Sequence, residues 1–290
     1  ENEIDVVHLH QGNLMPFFLL IKTACPEVTF YFTVHDTYIF SSDLNEMDRK
    51  IANLICKRII AISDGVVKDI RSCGVKKEKV KRIYNGINFD KFKMVERKDR
   101  KEPFKIINVA RFYPQKKGQD VLIKATAILK ERGYRIKTIF AGDEPQGVNG
   151  EMNRMKELAK AIGVLDNVVF LGNIQDVNKE LEQADIFCIP SNYEGFGISA
   201  VEAMATGLPC VASNIAGLNE VVDDSRVGKL FEVGNEIDLA NKLEEVITHI
   251  DQYNSSVISS YARKRFSIQN MCEILLEVYG KRENETRTTD

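Results

Sequence analysis

The sequence predicts an α/β fold in which parallel sheets are covered by helices. Two observations indicate this. Short apolar runs with strand periodicity recur along the whole chain, and segments with a helical period separate them. Strands that alternate with helices form parallel sheets, because each helix carries the chain back across a face of the sheet. The composition, with 44% hydrophobic and 28% charged residues, excludes a disordered or collagen-like chain.

The predicted elements alternate from the first residues to about residue 250. The helix over 198–206 has a clear end, because Gly207 and Pro209 are typical stop signals. The other helical patterns cover residues 43–56, 118–131, 150–162, 177–184 and 238–249. The ten predicted strands cover residues 6–10, 29–34, 59–62, 80–84, 105–110, 137–141, 168–171, 186–189, 210–212 and 229–232.

A charge-rich stretch divides the 290 residues into two domains. Residues 91–104 are poor in apolar side chains, and we interpret them as an exposed linker. Residues 1–90 then form an N-terminal lobe and residues 105–265 a C-terminal lobe, while residues 266–290 form a helix that returns toward the first lobe, and a tail. The first lobe is short for a doubly wound unit, so we expect it to be incomplete, its first strands and Gly-rich turn lying outside this sequence.

Composition also limits the partners and the compartment. The six cysteines are scattered without a C-x-x-C pair and only four histidines are present, so a zinc site is not expected. Scattered single thiols are typical of a protein in the reducing cytoplasm, which is the compartment we expect. The longest apolar run, residues 14–25, is shorter than the roughly 18 residues of a membrane span and contains Lys22. The net charge of −2 argues against nucleic acid as a partner.

The segment 190–209 carries the richest chemistry. Gly195 and Gly197 allow a ligand to approach the backbone, and the helix that follows presents free N–H groups to an anion, so a phosphate site is predicted. Glu194 precedes the helix and Glu202 lies about one turn inside it, where its carboxylate can accept hydrogen bonds from hydroxyl groups.

The same glycines permit an alternative. Residues 195–200 match the pattern G-x-G-x-x-A of dinucleotide-binding proteins, which suggests an NAD-dependent oxidoreductase. The match is weak, because residues 190–194 separate the first glycine from the strand and the motif lies two-thirds along the chain.

A second segment places cations where ligands bind in open α/β sheets, beyond the carboxyl end of a strand. Arg111 follows a predicted strand, and Lys116 and Lys117 precede Gly118. Two cations there suit a diphosphate, whereas the alternative is a surface turn with solvated lysines.

These segments together resemble retaining glycosyltransferases of family four, which have the GT-B architecture of two facing Rossmann-like lobes. The likeness runs from residue 5 to about residue 280, and its most specific element is the pair of glutamates with seven residues between them. The matching motifs of the first lobe are Asp5-Val-Val-His-Leu-His10, Thr33-Val-His-Asp36, Ala61-Ile-Ser63 and Tyr84-Asn-Gly-Ile-Asn88. Those of the second are Arg111 with Lys117-Gly118, Ala141-Gly-Asp143, Phe170-Leu-Gly172, Glu194-Gly-Phe-Gly197 and Glu202-Ala-Met-Ala-Thr-Gly207.

The resemblance implies a role for each matching residue. Arg111 and Lys117 would grip the donor diphosphate, with Lys116 as a competitor because the family usually has this lysine one residue nearer to the arginine. Glu194 would bond the hydroxyls of the donor sugar, and His35 would face that sugar across the cleft. The remaining donor contacts implied are Glu202 on the ribose, Ile174 beside the base, and the backbone of Gly195, Phe196 and Gly197.

The implied activity is transfer of a sugar, with retention, from a nucleotide-sugar such as a UDP- or GDP-sugar to a hydroxyl acceptor in glycan, polysaccharide or glycolipid biosynthesis. The chain contains no Asp-x-Asp, which agrees with a site without metal or cofactor, where Arg and Lys neutralise the diphosphate. A nucleotide-binding fragment without turnover remains a further alternative.

Charge is uneven along the chain. Residues 49–104 hold 17 basic and 7 acidic side chains, a net charge of +10. This segment is either a solvated face or a surface attracted to anionic lipid at the inner face of the membrane, which would suit a lipid-linked acceptor. His8 and His10 lie on one side of a strand, and both a structural role and an acceptor contact stay open for them.

Overall fold

Two parallel sheets organise the protein, as seen in a computed structural model that describes residues 4–97 and 100–280. Unit 1 comprises residues 4–86 with 268–280, and unit 2 comprises residues 87–267. Each unit contains one sheet with helices against it, which confirms the α/β prediction. Two residues of the predicted linker, 98 and 99, and the predicted tail beyond residue 280 lie outside the described residues.

Unit 1 is built on four parallel strands in sequential order. The central strand β2 is buried along almost its whole length, as expected where helices cover both faces of a parallel sheet. Its phenylalanines Phe30 and Phe32 form the core together with Ile59 of β3. The strands are β1 (Val6–Leu9), β2 (Thr29–Val34), β3 (Cys56–Ala61) and β4 (Val80–Arg82).

Three helices connect these strands: α1 (Met15–Ala24), α2 (Glu46–Ile55) and α3 (Asp64–Ser72). The side chain of Asn45 caps α2 by accepting from Asp48 N, and Ser63 caps α3 by accepting from Val66 N. The apolar run noted in the sequence is α1, a helix of 10 residues. Within the described part of the chain, no helix combines the length and the hydropathy needed to cross a bilayer.

Unit 1 is completed by the last described helix, α12 (Ile268–Tyr279), which belongs to it although about 180 residues separate the two parts. The buried Tyr31 on β2 donates its hydroxyl hydrogen to the carbonyl oxygen of Val278 at 3.0 Å, and its ring packs on Tyr279. The sheet of unit 1 is therefore covered in part by α12.

Unit 2 has six parallel strands in the order β10-β9-β8-β5-β6-β7. The order runs outward in both directions from the β5–β8 pair, which is the topology of a doubly wound Rossmann-like sheet with its switch point between those strands. The strands are β5 (Phe104–Val109), β6 (Ile136–Ala141), β7 (Val168–Gly172), β8 (Ile186–Ile189), β9 (Cys210–Ser213) and β10 (Gly228–Phe231). The helices are α4 (Pro114–Lys117), α5 (Gln119–Glu131), α6 (Glu151–Ala161), α7 (Val177–Gln183), α8 (Ile198–Ala205), α9 (Leu218–Val221), α10 (Glu236–Thr248) and α11 (Ser255–Phe266).

The segment predicted as an exposed linker belongs to unit 2, and most of its described residues are exposed, but Arg97 anchors it to the rest of that unit. Arg97 donates to the carbonyl oxygens of Thr206 at 2.6 Å, Leu181 at 2.8 Å and Ala184 at 2.9 Å, so one guanidinium satisfies carbonyls at the ends of α7 and α8. Burial, together with the nearby Arg100, lowers the pKa of Arg97 to about 10. The boundary between the units falls after Gly86, earlier than the charge pattern indicates.

Candidate functional site

The carboxyl ends of β5 and β8 bring the two predicted segments together. Arg111 lies two residues after β5, and the loop of residues 190–197 follows β8 directly. Because these strands are neighbours at the switch point, the loops that leave them diverge and open a crevice. The side chain of Arg111 is exposed there.

Gly118 makes the close approach of these loops possible. It lies between α4 and α5 with φ of +64°, and a Cβ atom at this position would lie 2.0 Å from the carbonyl oxygen of Pro190. The carbonyl oxygen of Lys116 accepts a hydrogen bond from Asn192 N at 2.8 Å, which joins the loop after β5 to the loop after β8. A glycine therefore fixes the position of both predicted lysines.

Lys117 and Glu194 form an ion pair that joins α4 to the loop after β8. The Lys117 Nζ and Glu194 Oε2 atoms are 2.5 Å apart, and each side chain is 18% exposed. The hydroxyl of Ser191 is within 3.5 Å of the same carboxylate oxygen. The sequence predicted both residues for the site, and the structure places them in direct contact.

The glycine loop that follows Glu194 presents its backbone. Gly197 adopts φ of +96° as the N-cap of α8, and no side-chain cap bonds the first turn of that helix. The Phe196 side chain is buried and packs against Phe266 at a centroid distance of 5.4 Å, so this residue can offer a ligand its backbone alone. Gly195 is buried beside it, and a Cβ on Gly217 would lie 2.8 Å from the Gly195 carbonyl oxygen.

Glu202 lies on α8, one turn beyond Gly197, and is half-buried. Burial raises the pKa of its carboxyl, because a carboxylate loses hydration there. A ligand that donates hydrogen bonds from hydroxyl groups would compensate for that lost hydration.

A cavity of about 590 Å³ opens beside Arg111, at the carboxyl ends of β5, β6 and β7. Ile174, predicted beside the base, lines it together with Asn173, Asp143 and Gly142. Gly142 has φ of +143°, and a Cβ there would lie 1.9 Å from the carbonyl oxygen of Ala110. Asn173, Asp143 and Gly142 were not predicted as site residues, although the motifs Ala141-Gly-Asp143 and Phe170-Leu-Gly172 adjoin or contain them.

His35 is the predicted site residue that belongs to unit 1, whereas the others belong to unit 2. It follows β2 directly, is exposed, and its Nε2 lies 2.8 Å from His10 Nδ1. Although the residue is exposed, loss of hydration on the part of its ring that the protein covers, together with the nearby His10, lowers the pKa of His35.

The dinucleotide alternative finds no support in this arrangement. The fingerprint belongs in the turn after the first strand of a Rossmann-like unit. The G-x-G-x-x-A sequence instead follows β8, the fourth strand of unit 2 along the chain, while the turn after β5 carries Arg111 and the two lysines.

Comparison with known proteins gives two family matches. The model of Glycosyl transferases group 1 matches residues 89–265, and that of Glycosyltransferase Family 4 matches residues 1–91. An uncharacterized glycosyltransferase of Methanocaldococcus jannaschii is 31% identical over 76% of this chain and 60% of its own length. The capsular polysaccharide biosynthesis glycosyltransferase CapM of Staphylococcus aureus is 28% identical over 80% of this chain and 63% of its own length.

Solved structures share the fold. Anabaena HepE in complex with UDP superimposes with a TM-score of 0.84 at 22% sequence identity, over 96% of this chain and 79% of that one. The same protein has also been solved with UDP-glucose. This likeness establishes the GT-B architecture that the motifs implied. The chain spans less than two-thirds of the archaeal and staphylococcal relatives.

Proposed function

The chain belongs to the Glycosyl transferases group 1 family, and from this we propose that it transfers a sugar, with retention, from a nucleoside-diphosphate donor to a hydroxyl group of an acceptor. The observation that carries the proposal is the Lys117–Glu194 pair, which lies between α4 and the loop that leads into α8 at the switch point of unit 2. With Arg111 earlier in the loop after β5, these segments supply two cations for a diphosphate and a carboxylate for sugar hydroxyls.

The leaving group is a nucleoside diphosphate, so negative charge grows on its β-phosphate as the glycosidic bond breaks. Arg111 and Lys117 supply positive charge where that oxygen would lie, and the backbone N–H groups at the start of α8 add to it. These groups can do the work of a metal ion, and we propose that transfer does not require one.

The nucleoside would lie at one end of this diphosphate site and the donor sugar at the other. Glu202 accepts from the ribose hydroxyls in its ionised form, and Ile174 packs against the base in the 590 Å³ cavity. UDP and UDP-glucose are bound by HepE, which shares the fold, and we extend a nucleotide-sugar donor to this chain on that basis.

Retention would proceed at the front face of the sugar. The Glu194 carboxylate, held by Lys117, accepts hydrogen bonds from the sugar's hydroxyls. The leaving phosphate takes the proton of the attacking hydroxyl. This differs from retaining glycosidases, in which a second carboxylate forms a covalent bond to the sugar. His35 stays a predicted contact of the donor sugar.

We further propose that the acceptor is a glycan or a lipid-linked sugar. CapM acts in capsular polysaccharide biosynthesis, as its name states, and the segment 49–104 carries a net charge of +10. Arg97 in that segment is engaged by backbone carbonyls, so an anionic lipid surface would meet the other cations of the segment, of which Lys91, Lys93 and Lys101 are exposed.

Calorimetric titration with UDP, GDP and ADP tests the donor site, followed by an assay of nucleotide release from the matching sugar donors. We expect one nucleotide to bind and Arg111→Ala to weaken it. If none of the three binds, or if NADH binds instead, the proposal is wrong. Nucleotide binding without sugar transfer to any hydroxyl acceptor would identify a binding unit without turnover.

A further inference from the structure

Three of the four histidines of the chain form one stack at the carboxyl edge of the unit 1 sheet. His8 and His10 stack at a centroid distance of 4.5 Å, and His10 and His35 at 5.1 Å. His10 follows β1 and His35 follows β2, and these strands are paired in parallel, so the register brings both rings to one edge. The proposed chemistry uses His35 and leaves the other two rings unexplained.

His8 is the fixed end of the stack. Its Nε2 is 2.7 Å from the hydroxyl oxygen of Thr33, and its Nδ1 bonds the hydroxyl of Tyr279 on α12. Burial, with a smaller effect of His10 and His35, lowers the pKa of His8 to about 4. His8 is therefore neutral at physiological pH, and it holds His10 in place by stacking without adding a charge.

His10 and His35 are joined by a bond that couples their tautomers. The His10 Nδ1 and His35 Nε2 atoms are 2.8 Å apart, a distance at which one nitrogen must donate and the other accept. If His35 donates from Nε2, both neutral rings carry hydrogen on Nε2. If His10 donates from Nδ1, both carry it on Nδ1. No mixed arrangement keeps the bond.

We propose that His10 is a positioning residue that holds His35 as the Nε2–H tautomer, so that His35 presents a bare Nδ1 as acceptor to a sugar hydroxyl. Free neutral histidine favours the Nε2–H form. Because the bond requires both rings to adopt the same tautomer, the preferences of His10 and His35 for Nε2–H add together. The identity of the hydroxyl ligand rests on the proposed function, whereas the tautomer does not.

Protonation of the pair removes this acceptor. A single hydrogen fits between the two facing nitrogens, so the first added proton converts His35 Nδ1 to a donor or breaks the bond. The titratable groups around His35 are His10 on the β1 side, His8 beyond it with Tyr31 and Tyr279, and Asp36 next in the chain. Loss of hydration and the His10 ring both lower the pKa of His35, which favours its neutral form.

Imidazole nitrogen shifts in a long-range ¹H–¹⁵N NMR spectrum test the tautomer on the full chain without any ligand. In the wild type we expect His35 in the Nε2–H form. In His10→Ala we expect the pKa of His35 to rise and both tautomers of His35 to be present. In His10→Asn we expect the wild-type tautomer, because the Asn Oδ1 takes the place of the His10 Nδ1. His249→Gln assigns the fourth ring, which lies in unit 2. An Nδ1–H form of His35 in the wild type, or an unchanged pKa and tautomer in His10→Ala, would overturn the proposal.

Kinetics separate this inference from the proposed function. Loss of one hydrogen bond predicts that His10→Ala lowers kcat/KM by about tenfold, with an acid limb shifted to higher pH, and that His10→Asn restores most of it. Equal losses in both variants with wild-type tautomers would refute a positioning role. Absence of transfer by the wild type as well as by every variant, with the predicted tautomers present, would contradict the proposed function and leave the histidine coupling intact.

Discussion

Lys116 and Lys117 are adjacent in the chain but contact the loop after β8 through different groups. Lys117 directs its ammonium group at Glu194, at 2.5 Å, whereas Lys116 engages Asn192 through its carbonyl oxygen. Alanine at position 116 keeps that carbonyl, so the loops stay joined. We predict that Lys117→Ala lowers kcat by about 10²-fold or more, as removal of a charge-stabilising group does, and that Lys116→Ala changes it little.

Steady-state transfer rates measure this difference, with Lys124→Ala on α5 as a control for the loss of one surface lysine. A larger loss in Lys116→Ala than in Lys117→Ala would assign the diphosphate contact to Lys116. The spacing of the motif left both lysines open, because it does not specify which of two adjacent side chains turns toward Glu194.

The raised pKa of Glu202 gives nucleotide binding a pH dependence. The carboxylate accepts from ribose hydroxyls in its ionised form, and burial makes it protonate at a higher pH than an ordinary glutamate. UDP affinity should therefore fall as the pH decreases through a range above 4.5. Glu202→Gln should bind about tenfold more weakly at neutral pH and lack that acid limb.

Calorimetric titrations between pH 5 and 8 show the limb, and Glu131→Gln, at an exposed position on α5, serves as the control. The same shift acts on stability in the opposite sense. A carboxyl with a raised pKa in the folded state stabilises the fold at low pH, and that contribution is lost as the pH rises through the raised pKa. A pH-independent affinity in the wild type would contradict a ribose contact.

At the scale of elements, the corner between α4 and α5 is the point where the site depends on backbone conformation. Alanine at Gly118 combines the cost of a positive φ with a Cβ 2.0 Å from the Pro190 carbonyl oxygen. Gly133 also has a positive φ, but nothing lies within 4 Å of its added Cβ. We predict that Gly133→Ala costs about 1–2 kcal/mol of unfolding free energy and that Gly118→Ala costs more.

Urea unfolding gives both free energies, and the same two variants should be titrated with the nucleotide. Displacement of the corner moves Lys117 away from Glu194, so Gly118→Ala should also lose affinity while Gly133→Ala keeps it. Equal stability and equal affinity in the two variants would show that the close approach of Gly118 to the Pro190 carbonyl oxygen has no role in the site.

Strands were easier to predict than helices, and the misses have physical causes. Every predicted strand corresponds to one of the ten, because buried parallel strands appear as short apolar runs. The helix α1 is apolar on most sides and lacks an amphipathic pattern, so no helix was predicted there. The position of Arg97 could not be predicted, since a run of charges does not reveal which guanidinium will meet three carbonyls distant in sequence.

At the scale of the whole molecule, the two units should respond differently to ligand. The predicted nucleotide contacts belong to unit 2, whereas Tyr279 supports unit 1 through Tyr31 and His8. We predict that UDP at about 100 times its Kd stabilises unit 2 by about 2.7 kcal/mol, and that Tyr279→Ala lowers the stability of unit 1.

Differential scanning calorimetry of the full chain would then show two transitions, one raised by UDP and the other lowered by Tyr279→Ala. A single transition that responds to both changes would mean that the units unfold together. The motifs predicted the two lobes, but the His10–His35 bond depends on the pairing of β1 with β2 and could not be inferred from the separate motifs.

The return of α12 to unit 1 has a consequence for biosynthesis. Domains generally fold as they leave the ribosome, the N-terminal one first. Here the strands of residues 4–86 are made first. The helix α12, whose Val278 carbonyl oxygen accepts from the Tyr31 hydroxyl and whose Tyr279 hydroxyl bonds His8, emerges after all of unit 2. The sheet of unit 1 therefore lacks α12 while about 180 residues of unit 2 are synthesised, so unit 2 can finish folding before unit 1 does.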